Sequence, residues 1–531
     1  MIIKTMRYTI YYIALCVMGI AATGSTQPLR VYLADKEVPK TILPDDVALS
    51  HKALERRTRQ GIPLDSRDLP VSSAVIQTIH EMGGEVVAHS RWFNYLVVDG
   101  LEMEALEKLP FVKRLEVPKA YKTILAMSDA CEQVQTLNYG LATEQIEMLR
   151  GHKLHELGYM GQGMTIAVLD GGFIGTDNGV AFDSLWLNNR ILGTYNFIDK
   201  DTNIYNDGNH GTKVLSILGG YLNNQLVGSA PRANYWLLKS EQESNETPVE
   251  MDYWLMAAEY ADSVGADIIS SSLGYNEFNS GQDYTYSDMD GNTTVVTKAA
   301  DMAAQKGLLV IVSAGNEGSS QWKHITAPAD GDSVMAVGGV TDQRQRISFS
   351  SIGPTADGRI KPDVMAQGSS TAYATNDMAF TGNGTSFSCP LISGMAACLW
   401  QLNPSKSNME IFRQIVESAD RASFPDNNYG YGIPNFEHAF YQIGLQQSLS
   451  QLRVDIFPNP VENTIYISTN LGDREEEVSI RITDLTGNLL SEMKVSLEND
   501  GMAELDFPYS SGIYIMQLTI GETSIVKKIL K

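Results

Sequence analysis

The sequence predicts an α/β protein with a doubly wound, mostly parallel sheet, preceded by a small α+β domain and followed by a β-sandwich. Two observations predict the sheet: short apolar segments recur along residues 140–445, and helical stretches separate them. A third observation predicts the sandwich, because residues 452–531 show strand patterns divided by Gly, Asn and Pro turns. At 531 residues the chain has room for two to four domains.

The first residues predict export. Lys4 and Arg7 precede a short apolar run, and small residues suited to cleavage follow near residues 21–24. We therefore assign residues 1–24 to a signal peptide. We expect no transmembrane anchor, because no later segment reaches about 20 apolar residues. Cys16 raises a lipoprotein alternative, but the leucine before it stands where that signal has a small residue.

The charge and the cysteines exclude several classes of protein. The formal net charge of −23 argues against nucleic acid as a partner and against docking on anionic lipid, and it is typical of a soluble surface. The chain has only four cysteines. Cys389 and Cys398 lie on one predicted helix, where their side chains cannot form a disulfide, and Cys131 is isolated. An exported chain of this kind must depend on core packing.

Residues 28–120 alternate between helix and strand patterns. "AVIQTIHEMG" and "EMEALEKLP" predict helices, whereas "GEVVAHS", "NYLVVDG" and "VKRLEVP" predict strands. This order favours a small α+β domain of the split βαβ kind.

The central part carries the predicted parallel sheet. Its strands are "GMTIAVLDGG", "ANYWLLKS", "ADIISSSLG", "KGLLVIVSAGN" and "SVMAVGGV". In parallel sheets functional residues collect at the carboxyl ends of the strands, which here read "LDGG", "SSSLG" and "SAGN".

Four polar residues stand at such positions or at helix starts. Asp170 ends one strand, Asn316 follows another, His210 starts a helix, and Ser386 starts the apolar helix of "GNGTSFSCPLISGMAACLW". Each residue alone is explained by a turn or a helix cap. Together they provide a carboxylate, a base, an amide donor and a hydroxyl, which is the set that acyl transfer to serine requires.

The motifs "VLDGG", "HGTKV", "SAGNEG" and "GTSFSCP", in this order, resemble those of the subtilisin-like serine proteases. The resemblance covers residues 140–445 and includes "SSSLGY" and "SFSSIGPTADGRIKPDVMAQG". It implies a doubly wound α/β protease with Asp170, His210 and Ser386 as the catalytic triad and Asn316 in the oxyanion hole. It also implies that the substrate cleft is lined by Ser272, Leu273, Gly274, Ala314 and Gly315.

The sequence departs from the family pattern at three positions. Gly171 follows the aspartate where Thr or Ser is frequent, Lys213 replaces a second histidine, and Cys389 stands where Ala or Thr is commoner. We expect Lys213 to lie one turn from His210 and to shift the pH optimum, with the direction left open. The nucleophile-elbow class of serine hydrolase fits worse, because its G-x-S-x-G motif fails at Ser388.

The flanking domains resemble further parts of such proteases. Residues 28–120 resemble an inhibitor-like propeptide, which implies cleavage within 118–140; an unrelated interaction domain is the alternative. The end of the chain, with "FPNP", "TDLTG" and "VKKILK", resembles the sorting domain of the type IX secretion system. That implies passage through the periplasm to the surface of a Gram-negative bacterium or beyond. The alternative is a carbohydrate- or matrix-binding sandwich.

No metal site is predicted. His152 and His155 lack a third ligand and are expected to be surface residues. The acidic stretches 199–203 and 288–292 are incomplete as calcium loops, so we expect surface turns there and leave calcium open.

The sequence thus predicts a secreted serine endopeptidase that acts on proteins or peptides without a required cofactor. Its own propeptide and the secretion machinery are the expected partners. The alternative is a catalytically silent surface protein, for binding or structure, that keeps the protease fold.

Overall fold

The computed structural model describes residues 28–34, 36, 38–117, 138–242, 247–276, 284–441, 454–469, 477–484, 488–496, 502–520 and 523–531. The predicted signal peptide, Cys16 and Cys131 lie outside these residues, as does most of the segment in which propeptide cleavage is expected.

The N-terminal part folds as an antiparallel four-stranded sheet in the order β2-β3-β1-β4. The predicted helices and strands are all present, and the structure adds the first strand and the first helix, which were not predicted. Their bounds are β1 Leu29–Leu33, α1 His51–Arg59, α2 Ser73–Glu81, β2 Glu85–Ser90, β3 Tyr95–Asp99, α3 Met103–Glu107 and β4 Val112–Glu116.

The central part is built on a seven-stranded sheet in the order β13-β12-β11-β10-β5-β9-β6, in which every pairing is parallel. This confirms the predicted doubly wound α/β fold. A small pair, β7 Tyr221–Leu222 and β8 Leu226–Val227, lies outside the sheet. The sheet strands are β5 Thr165–Asp170, β6 Ile191–Asn196, β9 Asn234–Lys239, β10 Ile268–Ser271, β11 Leu309–Ser313, β12 Val334–Val340 and β13 Val364–Gln367.

Helices cover both faces of this sheet. They are α4 Thr143–Met148, α5 Gly151–Glu156, α6 Asp183–Leu187, α7 His210–Gly219, α8 Val249–Val264, α9 Val295–Gln305, α10 Thr385–Leu402 and α11 Asn408–Glu417. An antiparallel hairpin of β14 Thr371–Thr375 and β15 Met378–Gly382 leads into α10.

The alternation of side chains along the strands creates two separate cores. On β5, Ile166 and Val168 pack in one core with α7 and α10, whereas Ala167 and Leu169 pack in the other with α8 and α9. Successive side chains of a strand point to opposite faces, so a strand covered on both faces is apolar throughout. All six residues of β5 are buried, including the terminal Asp170.

The N-terminal domain packs on the α8–α9 face of the central domain. Trp92, Tyr95 and Val97 belong to the same core as α8 and α9. Arg30 forms a two-pronged ion pair with Asp252 of α8, at 2.7 and 2.8 Å. The contact therefore combines apolar burial with buried charge pairs, which is a costly arrangement unless every charge has its partner.

The C-terminal part is a β-sandwich, as predicted. One sheet has the order β16-β17-β20 and the other β19-β18-β21-β22, and apolar residues of both sheets share one core. Its strands are β16 Val454–Phe457, β17 Thr464–Thr469, β18 Glu477–Asp484, β19 Leu489–Ser496, β20 Met502–Asp506, β21 Ile513–Ile520 and β22 Thr523–Leu530. Among the described residues, no helix is long and apolar enough to cross a membrane.

Candidate active site

The end of β5 and the start of α7 bring a carboxylate and an imidazole together. Nδ1 of His210, the first residue of α7, lies 2.7 Å from Oδ1 of Asp170. The same oxygen accepts the backbone N–H of Gly171 at 2.8 Å. Because the carboxylate accepts, Nδ1 carries the proton of the neutral ring, and the lone pair of the imidazole is on Nε2.

Two glycines allow this approach. A Cβ on Gly172 would lie 2.1 Å from the carbonyl oxygen of Asp207, and one on Gly211 would lie 2.6 Å from the carbonyl oxygen of Gly172. The backbone of Gly172 has a φ of +159°. The loop after β5 and the first turn of α7 therefore touch through their main chains, which sets the distance between Asp170 and His210.

Ser386 lies in the first turn of α10, behind a glycine cap. Gly384 has a φ of +151° and a ψ of 148°, a conformation that favours glycine. Ser386 is partly buried, and its Oγ lies 3.4 Å from the carbonyl oxygen of Ser272. The hydroxyl of Ser272 donates in return to the carbonyl of Ser386 at 2.8 Å. The two segments are thus held side by side.

Phe387 links the start of α10 to the start of α7. Its ring lies 6.3 Å from the imidazole of His210, centre to centre, with an angle of 17° between the planes. Since Phe387 directly follows Ser386, this contact places the hydroxyl-bearing turn beside the imidazole.

Asn316 is exposed and is anchored through its side-chain oxygen. Oδ1 accepts the backbone N–H and the hydroxyl of Thr385, both at 3.0 Å. This orientation leaves the donors of the amide, on Nδ2, on the other side of the group. The side-chain amide of Asn316 thus lies at the N-terminus of α10, whose first backbone N–H groups carry partial positive charge. An oxyanion requires donors of this kind.

The predicted cleft residues follow neighbouring strands. Ser272, Leu273 and Gly274 come directly after β10, and Ala314 and Gly315 come directly after β11, with which β10 pairs. Both segments meet at Thr326. A Cβ on Gly274 would lie 2.3 Å from Oγ1 of this threonine, and one on Gly315 would lie 2.9 Å from it.

Three residues of this region were not predicted. Thr385 stands in the quoted motif, so its hydroxyl was a visible signal for a partner of Asn316. Thr326 is 3 % exposed, follows no predicted strand and gave no signal. The aromatic character of Phe387 was visible, but its contact with His210 depends on how two helices meet.

The three departures from the family pattern have separate surroundings. Gly171 contributes only its backbone N–H to Asp170. Lys213 lies on α7 as expected, with Nζ 5.8 Å from the ring centre of Tyr373. Cys389 is fully buried, with its sulfur 3.5 Å from the carbonyl oxygens of Ser271 and Ile311, and burial raises the pKa of its thiol to about 12. Cys389 is therefore a core residue rather than a nucleophile.

The prediction that His155 lies on the surface is wrong. The side chain is 2 % exposed, its Nδ1 lies 2.9 Å from the hydroxyl of Tyr139, and its Nε2 lies 3.0 Å from the carbonyl oxygen of Ser229. His155 thus lies on the side of α5 that packs against the core. A neutral imidazole can accept a hydrogen bond from the hydroxyl of Tyr139 and donate one to the carbonyl of Ser229.

Within the described ranges, no group of three or more His, Cys, Asp or Glu side chains is arranged to hold a metal ion. The stretch 288–292 forms a turn in which Asp290 accepts the backbone N–H groups of Asn292 and Thr293 at 2.8 and 2.7 Å. Its carboxylate is thus used within the turn.

Comparisons with known proteins agree with this geometry. Residues 161–432 match the subtilase family, residues 28–133 match the peptidase S8 propeptide domain of Bacteroidota, and residues 455–531 match the secretion system C-terminal sorting domain.

Among curated proteins, Subtilisin NAT from Bacillus subtilis subsp. natto and Subtilisin E from Bacillus subtilis (strain 168) are each 30 % identical over 361 residues. Each alignment covers 67 % of this chain and 82 % of the relative. Serine protease AprX from Bacillus subtilis (strain 168) is 28 % identical over 310 residues, covering 52 % of this chain and 66 % of that protein. The chain therefore belongs to the subtilase family and is a secreted serine endopeptidase with a propeptide and a C-terminal sorting domain.

Proposed function

We propose that Ser386 is the nucleophile of this endopeptidase, that His210 is its general base and acid, and that Asp170 orients His210. The observation that carries the proposal is the 2.7 Å contact between His210 and the buried carboxylate of Asp170. The ring of Phe387, which follows Ser386 in the first turn of α10, stacks on the same imidazole. A serine hydroxyl needs a base in contact to attack a carbonyl at neutral pH.

The reaction proceeds in two halves. Ser386 Oγ forms a bond to the peptide carbonyl carbon while His210 takes its proton, and the carboxylate of Asp170 stabilises the resulting imidazolium. His210 then gives the proton to the leaving amine as the C–N bond breaks. Water attacks the acyl-enzyme, loses a proton to His210, and the proton returns to Ser386 as the acid product leaves.

Asn316 supplies the oxyanion hole in this proposal, together with the backbone N–H of Ser386. The anchoring of Asn316 Oδ1 by Thr385 supports this role, because it fixes the amide before substrate arrives. Ser272, Leu273, Gly274, Ala314 and Gly315 would line the cleft, where an extended peptide could pair with the strand edge.

The domain boundaries are part of the proposal. Residues 1–24 would be the signal peptide, 28–120 the inhibitory propeptide, 140–445 the catalytic domain and 452–531 the sorting domain. The packing of the N-terminal domain against α8 and α9 supports its role as an intramolecular partner. The sorting domain supports export by the type IX system, and we propose a route through the periplasm of a Gram-negative bacterium.

The decisive test is labelling by a sulfonyl fluoride. The matured protein should take one label at Ser386, and Ser386→Ala should abolish both the label and the cleavage of unfolded casein. Ser388→Ala is the matched control. That serine lies two positions further along α10 and is buried against the carbonyls of Ala366 and Gln367, so labelling should persist.

Two results would contradict the proposal. Retention of casein cleavage by Ser386→Ala would place the nucleophile elsewhere, and an unlabelled, inactive wild type would favour the silent protease fold. Sequencing both ends of the secreted protein tests the boundaries, because residue 25 at the start of the active enzyme would contradict the propeptide assignment.

A further inference from the structure

The imidazole of His210 is the first member of a stack of four rings. Phe387 lies 6.3 Å from it at 17°, Tyr373 lies 5.4 Å from Phe387 at 28°, and Phe380 lies 5.9 Å from Tyr373 at 29°. The rings come from α7, from α10 and from the β14–β15 hairpin. Distances of 4.5–7 Å between nearly parallel rings are those of offset stacking.

The stack is built into the protein rather than laid on its surface. Phe387 is 7 % exposed and Tyr373 is 4 % exposed. Both rings pack against Gly382 of the hairpin, where a side chain would displace them: a Cβ there would lie 2.6 Å from the ring of Phe387 and 3.0 Å from that of Tyr373. The packing around Gly382 therefore fixes the rings of Phe387 and Tyr373 independently of their contact with His210.

The hydrogen bond to Asp170 and the stacked ring of Phe387 constrain different motions of the imidazole. An N–H···O contact holds one edge of a ring, whereas rotation of the ring plane is a separate motion, for which the terminal torsion of histidine has a broad energy profile. A rigid ring parallel to the imidazole removes that rotation. The Nε2 lone pair then keeps a constant direction, which proton transfer from Ser386 requires.

We propose that Phe387 and Tyr373 are positioning residues that hold the plane of the His210 imidazole, with the ammonium group of Lys213 close to the ring of Tyr373. This inference rests on the proposed role of His210 as the base. Lys213 and His210 lie on the same helix, three residues apart, and Nζ of Lys213 is 5.8 Å from the ring centre of Tyr373. Helix α7 thus contacts the stack at two places.

The stack also has an electrostatic effect. The face of an aromatic ring attracts a cation, so Phe387 favours the protonated imidazole, whereas the charge of Lys213 disfavours it. Other charged groups on the elements that meet His210 include Asp170 on β5 and the pair of Asp207 with Lys239, whose position on β9 is next to Asp170. The hairpin carries two titratable residues, Tyr373 in β14 and Asp377 at the turn. Substitution of Phe387 or Lys213 leaves these other groups unchanged.

The test compares Phe387→Leu, Phe380→Leu and Lys213→Met in the matured enzyme, produced from the full-length chain. The rate on a peptide anilide is measured against pH and divided by the amount of sulfonyl-labelled Ser386, so that only correctly folded enzyme is counted. Phe380→Leu is the matched control, because this half-buried ring belongs to the stack and is separated from His210 by two rings.

We expect Phe387→Leu to lower kcat by about two- to tenfold with KM unchanged within about twofold. In its pH–rate profile, the acidic limb, where activity falls as His210 is protonated, should move to lower pH by about half a unit. The reason is that the imidazolium loses the attraction of the aromatic ring face. Lys213→Met should move the limb to higher pH, because a like charge is removed. Phe380→Leu should leave the limb in place.

An unmoved limb in Phe387→Leu, or the same loss of kcat in Phe387→Leu and Phe380→Leu, would overturn the positioning role while leaving the proposed function intact. Failure of the proposed function has a different signature, namely an unlabelled wild type or an active Ser386→Ala. If Phe387→Leu yields too little labelled enzyme, Tyr373→Leu serves instead. It should reproduce the loss of kcat more weakly by loosening Phe387, and an unchanged kcat would contradict the proposal.

Discussion

Nδ1 of His210 lies 2.7 Å from Oδ1 of Asp170, and the carboxylate is fully buried whereas the imidazole is 20 % exposed. A buried charge of this kind is costly unless it is hydrogen-bonded. The second oxygen, Oδ2, has no hydrogen-bond partner among the described residues. The contact with His210 is therefore central to both the stability of the carboxylate and the tautomer of the ring.

The first prediction concerns this contact. Asp170→Asn should lower kcat by about 10⁴ with little change in folding, because an amide can hold the wrong tautomer of His210. The measurement is kcat on a peptide anilide with active sites counted by labelling. Asp177→Asn, an exposed acid on the loop that follows, should leave kcat unchanged. A loss below about tenfold in Asp170→Asn would speak against its orienting role.

The second prediction concerns Asn316. Asn316→Ala should lower kcat by about 10²–10³ and change KM little, since the lost donor acts on the charge that develops in the transition state. Thr385→Val, which removes only the hydroxyl that anchors Asn316, should cost less, because the backbone N–H of residue 385 still binds Oδ1. Steady-state kinetics separate the two effects. Equal losses from both substitutions, or a loss confined to KM, would contradict this assignment.

The third prediction concerns the contact between the N-terminal domain and α8. Asp262 is fully buried and accepts hydrogen bonds from Arg56, Arg57 and Arg91 of the N-terminal domain. Asp262→Asn leaves three guanidinium groups without this countercharge, which should cost about 3–5 kcal/mol. In the uncleavable Ser386→Ala background, added trypsin should then digest the N-terminal domain about 10²- to 10⁴-fold faster.

The control for this experiment is Glu156→Gln. That glutamate pairs with Lys153 at 2.8 Å on the surface of α5, where an ion pair contributes little. Digestion of Glu156→Gln should match that of the parent. If Asp262→Asn were as resistant as Glu156→Gln, the charge pairs would not hold the N-terminal domain in place.

The fourth prediction concerns pH and His155. Burial lowers the pKa of this imidazole to about 4 from the ordinary 6.5, so the unfolded chain binds a proton more readily than the folded one. Stability should therefore fall as pH falls from 6.5 towards 4, by about 3 kcal/mol from this group. Above pH 6.5 the group should have no effect.

His155→Gln isolates that contribution. Glutamine can accept from Tyr139 and donate to the carbonyl of Ser229 without titrating. Urea unfolding in the Ser386→Ala background should show a shallower loss of stability in acid for His155→Gln than for the parent. Parallel pH profiles of the two proteins would show that His155 is not the group responsible.

Sequence patterns predicted the sheet and the clustering of residues 170, 272–274 and 314–316, because the carboxyl ends of parallel strands meet at one edge. They predicted less where contacts depend on the meeting of elements. The β14–β15 hairpin was not predicted, so the stacking of Tyr373 on Phe387 was not visible either. The burial of His155 was missed because α5 is short and its pattern does not show which side faces the core.

The burial of helix α10 determines how the enzyme loses activity on heating. Its first turn carries Ser386, while every residue from Phe387 to Trp400 is buried in the centre of the domain. The hydroxyl of Ser386 therefore cannot be displaced while the rest of the domain stays native, because a shift of α10 would disrupt the packing of its buried residues in the core. Heating should consequently produce no long-lived species that is compact yet inert, and the decay of turnover should superimpose on the calorimetric transition of this domain.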